Sequence, residues 1–142
     1  MIDSLSSADE LITLLSCPAA DIVYHLDDIA EQISASGPEI WEDFSENWSE
    51  QDSAWKSTAE MIIDKLTETQ KAILLRAVIE CTYEEDARVA ANLASQLGHS
   101  NIGGLVPSVV SHLERSWGEF PDLRDYISVC AKAGGLPIRV GP

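Results

Sequence analysis

Residues 39 to 55, EIWEDFSENWSEQDSAW, constrain the fold of this chain more tightly than any other stretch. Tryptophans stand at positions 41, 48 and 55, a seven-residue interval, among six acids and no base. On an α-helix, at about 100° per residue, Phe44, Trp48 and Trp55 fall within about 60° of Trp41. Glu39, Glu42, Asp43, Glu46 and Glu50 lie roughly 100° to 200° away on the same wheel. The pattern is therefore that of an amphipathic helix, with an aromatic stripe packed inward and an acidic ridge facing out. Asp52 breaks it by landing about 20° from Trp41. Asp52 or Ser53 is thus expected to end one helix, over 39 to 51, and to N-cap a second, over 53 to 66.

The rest of the chain reads the same way. Ser7-Ala8-Asp9-Glu10 has the form of a capping box, followed by Leu11, Leu14 and Leu15 on one side of a short helix that Cys17-Pro18 ends. Ile22, Leu26, Ile29 and Ile33 recur at helical spacing from Pro18 to Gly37-Pro38, a glycine stop followed by a proline. Trp55, Ile62, Ile63 and Leu66 are the apolar positions of the helix after Asp52. Two further capping boxes, Thr67 to Gln70 and Thr82 to Glu85, open helices marked by Ile73, Leu74, Ala77, Val78, Cys81 and by Val89, Ala90, Leu93, Leu97. Gly98 should close the latter, leaving HSNIGGL as the longest interior loop. Val106, Val110, Leu113 and Trp117 mark a helix running to Gly118. Leu123, Ile127 and Cys130 mark the last one, which ends at Gly134-Gly135 before an extended tail. No window alternates as a half-buried strand does. The expected class is all-α, with seven to eight helices arranged as a compact bundle or a short stack of helix pairs.

With 142 residues, 45% of them hydrophobic, the chain is sized for one domain, residues 1 to 142, with one core. Its formal net charge of −15 far exceeds what solubility requires. The charge is also lopsided. Residues 1 to 70 carry sixteen acids against Lys56 and Lys65, a net of −14, while residues 71 to 142 carry eight acids against seven bases, a net of −1. Such a surface repels nucleic acid and anionic lipid, and favours a basic protein partner. Cys17, Cys81 and Cys130 are odd in number and form no C-x-x-C pair, so a disulfide framework and a structural zinc site are not expected. The acidic N-terminus has no apolar leader, and no apolar run approaches the length of a spanning helix. A cytoplasmic protein starting at Met1 is the expectation.

Chemistry-bearing motifs are sparse. Asp21, His25 and Asp28 share one helix face at i, i+4 and i+7, but no second histidine completes a zinc pattern, and the face is the polar one opposite Ile22, Leu26 and Ile29, so a solvated polar face is the favoured reading. His99 and His112 stand alone. Cys17 before Pro18 could lie at a helix N-terminus where the dipole favours thiolate, yet Asp21 opposes this. Cys81 and Cys130 sit on apolar faces, as small core residues do. Gly103-Gly104 and Gly134-Gly135 lack the lysine and preceding strand of a phosphate loop and mark turns. No metal, cofactor or catalytic residue is called for.

In size, in acidity and in the exposed ridge Glu39, Glu42, Asp43, Glu46 and Glu50, the chain resembles the acidic helical immunity proteins that bacteria make to neutralise a cognate toxin. The resemblance implies a non-enzymatic inhibitor whose carboxylates cover a cationic site on a basic toxin, such as a nuclease, with no direct binding of nucleic acid or membrane. A helical adaptor or regulatory protein would share that binding logic. An enzyme would instead need a site assembled between helices, from residues such as Tyr24, His25, His112 and Glu114.

Overall fold

The computed structural model describes residues 8–16, 24–35 and 38–139. Every regular element among them is a helix, so the fold is all-α. In order these are α1 (Ala8–Leu14), α2 (Leu26–Ala35), α3 (Pro38–Glu46), a 3-10 turn (Trp48–Glu50), α4 (Ser53–Glu60), a second 3-10 turn (Ile63–Lys65) and α5 (Glu68–Val78). Then follow α6 (Glu84–Ile102), a 3-10 turn (Gly103–Leu105), α7 (Val106–Glu119), a 3-10 turn (Pro121–Leu123) and α8 (Arg124–Ala133). The chain divides into two compact units, Met1–Leu74 and Leu75–Pro142, the division falling inside α5. It lies four residues beyond the break in charge: the first unit holds sixteen acids against Lys56, Lys65 and Lys71.

In the first unit the aromatic stripe is the core. Trp41, Phe44 and Trp48 are almost fully buried and Trp55 nearly so. Trp41 stacks on Phe44 with centroids 4.8 Å apart, Phe44 meets Trp55 at 5.4 Å, and Trp55 meets Trp48 edge-on at 5.6 Å. Such offset and edge geometries are those that ring quadrupoles favour. Burying an indole strands its N–H unless a partner is found. Trp41 Nε1 donates to the Gln70 carbonyl at 2.8 Å, and Trp55 Nε1 to the Ile12 carbonyl at 3.0 Å. Those two bonds tie α3 and α4 to the start of α5 and to α1, which itself packs on α3 and contributes buried Leu11. Ile29 and Ile33 bury the inner face of α2.

Local signals set most boundaries. Asp52 N-caps α4, its Oδ1 accepting the Trp55 N–H at 2.8 Å. Thr67 and Gln70 exchange the two bonds of a capping box at 3.2 and 2.9 Å. At the far end, α8 closes with the Gly135 N–H on the Lys132 carbonyl and the Leu136 N–H on the Ala131 carbonyl, with Gly135 at φ 69°. This is a Schellman ending, which needs a left-handed residue at that position. Residues 136–139 form no regular element.

Four expectations are corrected. The acidic helix stops at Glu46 rather than 51, because Asn47 turns its amide onto the Asp43 carbonyl at 2.8 Å and the chain tightens into the 3-10 turn. Trp48 still reaches the core. The helix after Asp52 stops at Glu60 rather than 66, and the 3-10 turn that follows keeps Ile62, Ile63 and Leu66 buried. The capping box expected at Thr82 and Glu85 lies one residue later: fully buried Asp86, not Glu85, reaches back to the backbone N–H of Tyr83 at 3.1 Å. Finally, HSNIGGL is not a loop. Gly98 breaks the helix at φ 76°, ψ 163°, but the chain recoils into another turn and a 3-10 segment, burying Ile102, with Asn101 Nδ2 donating to the Leu97 carbonyl at 2.7 Å.

The expected Ser7 cap, the stop at Cys17-Pro18, the helix start from Pro18 through Ile22, and Gly37 lie outside the described residues.

The second unit is built on α6, which packs against α7 and α8, while α7 also packs on α8. Ala87, Ala90, Ala91 and Ala94 put a shallow, fully buried face on α6. Small side chains there let a neighbour approach to backbone contact: a Cβ on Gly134 would sit 2.7 Å from the Ala94 carbonyl oxygen. The His99 N–H donates to the Gly134 carbonyl at 2.7 Å, locking the Gly98 break onto the end of α8. Trp117 is only half-buried; the Arg124 guanidinium covers its ring at 4.5 Å, and its Nε1 donates to Ser128 Oγ at 3.1 Å.

Candidate functional site

Two surfaces concentrate chemistry, one in each unit. The first is the ridge. Glu39, Glu42, Asp43 and Glu46 stand on α3 and Glu50 on the 3-10 turn that follows, and all five side chains are exposed. The sequence expectation of tryptophans in and carboxylates out therefore describes the geometry found. Asp52, the sixth acid, is occupied as a cap.

The ridge is not neutralised locally. Among the described residues none of its five carboxylates pairs with a base. Lys56, the base nearest in sequence, is 2% exposed, with Nζ 5.7 Å from the centre of the Trp48 ring. Lys65 is spent on Asp27 at 3.0 Å. Within α3, Glu39 and Asp43, and likewise Glu42 and Glu46, stand one turn apart, where like charges destabilise a helix by about 0.2 to 0.5 kcal/mol per pair. No base stands in the last turn of α3 to offset Asp43 and Glu46 against the helix dipole. The arrangement costs the fold stability, and it projects a negative potential that a cationic partner would relieve.

The second surface is a groove of about 470 Å³ in the other unit, lined by Ile79, Pro107, Ser108, Ser111, His112 and Arg115. Five of these lie on α7, and Ser108, Ser111, His112 and Arg115 stand at i, i+3, i+4 and i+7, hence on one face. His112 is 4% exposed. Its Nε2 lies 2.9 Å from the Cys81 carbonyl, which can only accept, so Nε2 carries the proton. Nδ1 is then a bare acceptor, buried and, among the described residues, without a partner. Burial holds the His112 pKa below its usual value; the bond to Cys81 and the charge of Asp86 oppose that shift, and the charge of Arg115 adds to it. With Nδ1 receiving no bond from Ser108 or Ser111, the groove holds no serine activated by a histidine.

Sequence reading treated His112 as solitary and missed Ser108, Ser111 and Arg115. The signal was available as polar residues at helical spacing on α7, set against buried Val109 and Leu113 on its other side.

The remaining candidates are not assembled. His25 Nδ1 and Asp28 Oδ2 are 3.9 Å apart on an exposed face, and Asp21 lies outside the described residues. Among the described residues no group of three or more His, Cys, Asp or Glu is placed to hold a metal ion. Tyr24 is 83% exposed, and Tyr24 and His25 belong to a different unit from His112 and Glu114, whose carboxylate accepts the Arg139 backbone N–H. Cys81 and Cys130 are buried. No helix among the described residues is long and apolar enough to cross a membrane. Comparison with protein-family models, with curated proteins and with solved structures finds no match for the chain.

Proposed function

We propose that the chain is an acidic protein-binding inhibitor, an immunity protein that neutralises a basic, nucleic-acid-targeting toxin by laying carboxylates over its phosphate-binding surface. The observation that supports this reading is the un-neutralised ridge Glu39, Glu42, Asp43, Glu46 and Glu50, exposed on a helix whose opposite face is anchored in an aromatic core. A rigid row of anions spaced along a helix presents to a cationic groove the kind of charge pattern that a nucleic-acid backbone presents. Rigidity reduces the entropy lost on binding, and concentrated charge speeds encounter with an oppositely charged partner. The chain performs no reaction in this reading. It acts by occupying a site at one-to-one stoichiometry.

The test is to isolate the basic protein that co-purifies with the chain, measure its binding or cleavage of nucleic acid, and titrate the chain back. Loss of that activity at one equivalent is the expected result. A partner that keeps full activity while bound would contradict inhibition and would favour a helical adaptor.

A further inference from the structure

We propose that His112 is a pH-sensitive latch: with a neutral ring it ties the α5–α6 connection, residues 79 to 83, to α7, and a proton taken up at Nδ1 releases that connection by a local opening. The device lies in the second unit and does not rest on the role of the acidic ridge.

The connection runs from the end of α5 to the start of α6, with Glu80, Thr82 and Tyr83 exposed and Cys81 turned inward. Ile79, Glu80 and Cys81 donate their backbone N–H groups back to the carbonyls of Leu75, Ala77 and Val78, and Tyr83 donates forward to Asp86. These bonds are local. The Cys81 carbonyl, by contrast, lies 2.9 Å from Nε2 of His112, 31 positions away in sequence, so that bond reaches across to α7.

Protonation changes what the ring needs. With the proton on Nε2, Nδ1 has essentially no accessible surface and, among the described residues, no partner. A proton there makes a buried N–H with no acceptor and puts a positive charge where no water hydrates it. The bond to Cys81 favours the charged ring, since a charged donor bonds a carbonyl more strongly. Burial outweighs that bond and keeps the closed ring neutral.

The neighbouring charges do not reverse this. Arg115, on the same helix, repels an imidazolium. Asp86, from α6, attracts one, but its buried carboxylate already accepts the Tyr83 N–H at 3.1 Å. On the other side of α7, Asp122, Asp125 and Lys132 are exposed and Arg124 stands over Trp117. The ring therefore takes a proton by parting from Cys81 and meeting water. Once hydrated it titrates near the ordinary value of about 6.5, so below that pH protons draw the equilibrium toward the open form, and above it the latch stays shut. Fully buried Ala90, Leu93, Val109, Leu113 and Ile127 keep α6, α7 and α8 packed meanwhile, so releasing the connection costs less than unfolding the unit.

The experiment follows the Cys81 thiol of the full chain, with the Cys130 thiol, buried on α8, as reference. A pyridyl disulfide is reacted with the folded and the urea-unfolded chain at each pH, and peptide mapping separates Cys81, Cys130 and Cys17. Dividing the two rates removes the ordinary pH dependence of thiol exchange. Protection of Cys81 should fall by up to about tenfold between about pH 7.5 and pH 5.5, as expected for one proton taken up on opening, while protection of Cys130 stays level. His112→Gln, whose amide can still donate to the Cys81 carbonyl but does not titrate, should hold Cys81 protection level over the same range. A flat profile for wild-type Cys81 would overturn the latch. So would an equal fall at Cys130, the sign of general unfolding in acid, and that comparison stands whether or not the variant folds. A fall at Cys81 that persists in folded His112→Gln would overturn the assignment to His112.

Discussion

The indole N–H of Trp41 donates to the carbonyl oxygen of Gln70 at 2.8 Å, across 29 positions of sequence. Through that bond and the stack on Phe44, α3 is held by its aromatic side, and Glu39, Glu42, Asp43 and Glu46 are left facing out. Packing and charge display are thus two sides of one helix, and substitutions on the two sides should separate them. Trp48→Ala removes a fully buried indole and should cost about 3 to 5 kcal/mol, as large-to-alanine changes in cores do. Trp41→Phe keeps the stack but removes the indole donor to the Gln70 carbonyl, costing about 1 kcal/mol. Urea unfolding followed by circular dichroism measures both.

Much of this was legible because the inward positions are aromatic and the outward ones charged, so periodicity alone assigned them. Asp52 was legible for the same reason: a carboxylate on the aromatic side of the wheel breaks the pattern, and it N-caps α4 by accepting the Trp55 N–H. The 3-10 turns were not. Three and 3.6 residues per turn differ too little over three residues to leave a periodic trace, so Trp48 and Ile63 read as continuing helices. The groove on α7 was hidden by a different ambiguity. Ser, His and Arg on a helix face look like any solvated surface until the Cys81 carbonyl is found against His112.

The displaced capping box gives a prediction with two arms. Thr82 is exposed, whereas the Asp86 carboxylate is buried against the Tyr83 N–H. Asp86→Ala should destabilise by about 1 to 3 kcal/mol, the cost of an unsatisfied buried donor. Thr82→Ala should stay within about 0.5 kcal/mol. Chemical denaturation of the two variants side by side decides it.

Gly134 should tolerate no side chain. An added Cβ would meet the Ala94 carbonyl oxygen at 2.7 Å, and backbone cannot rotate away as a flexible side chain would. Gly134→Ala should cost about 1 to 3 kcal/mol, the range for overpacking, and should disturb the His99 to Gly134 hydrogen bond next to it. Hydrogen exchange at the His99 amide, faster in the variant, is the reporter. Gly104, with nothing near its missing Cβ and no positive φ, is the control and should accept alanine with little change.

Burial holds His112 below its ordinary pKa, so the native chain resists protonation at a pH where the unfolded chain accepts it. Between the lowered folded value and about 6.5 the unfolded state binds more protons, and stability rises with pH across that window. The contribution is complete above about pH 6.5 and is lost as the pH falls toward the folded value. His112→Gln should flatten that part of the profile, whatever its effect on stability at neutral pH. The check is urea unfolding of both proteins across the window; an unchanged slope would refute the assignment.

The ridge is tested most directly by the rate of association with the co-purifying basic partner, measured against salt for the wild-type chain and for the triple reversal Glu42→Lys, Glu46→Lys, Glu50→Lys. All three positions are exposed, so folding should change by less than about 0.5 kcal/mol at each. If the ridge steers and seats the partner, the wild-type rate falls steeply as salt rises toward physiological strength, where charges are screened beyond about 8 Å. The reversal should then bind slowly at every salt concentration. Equal rates for the two proteins, both indifferent to salt, would contradict the account and leave the ridge a solvated face with no part in binding.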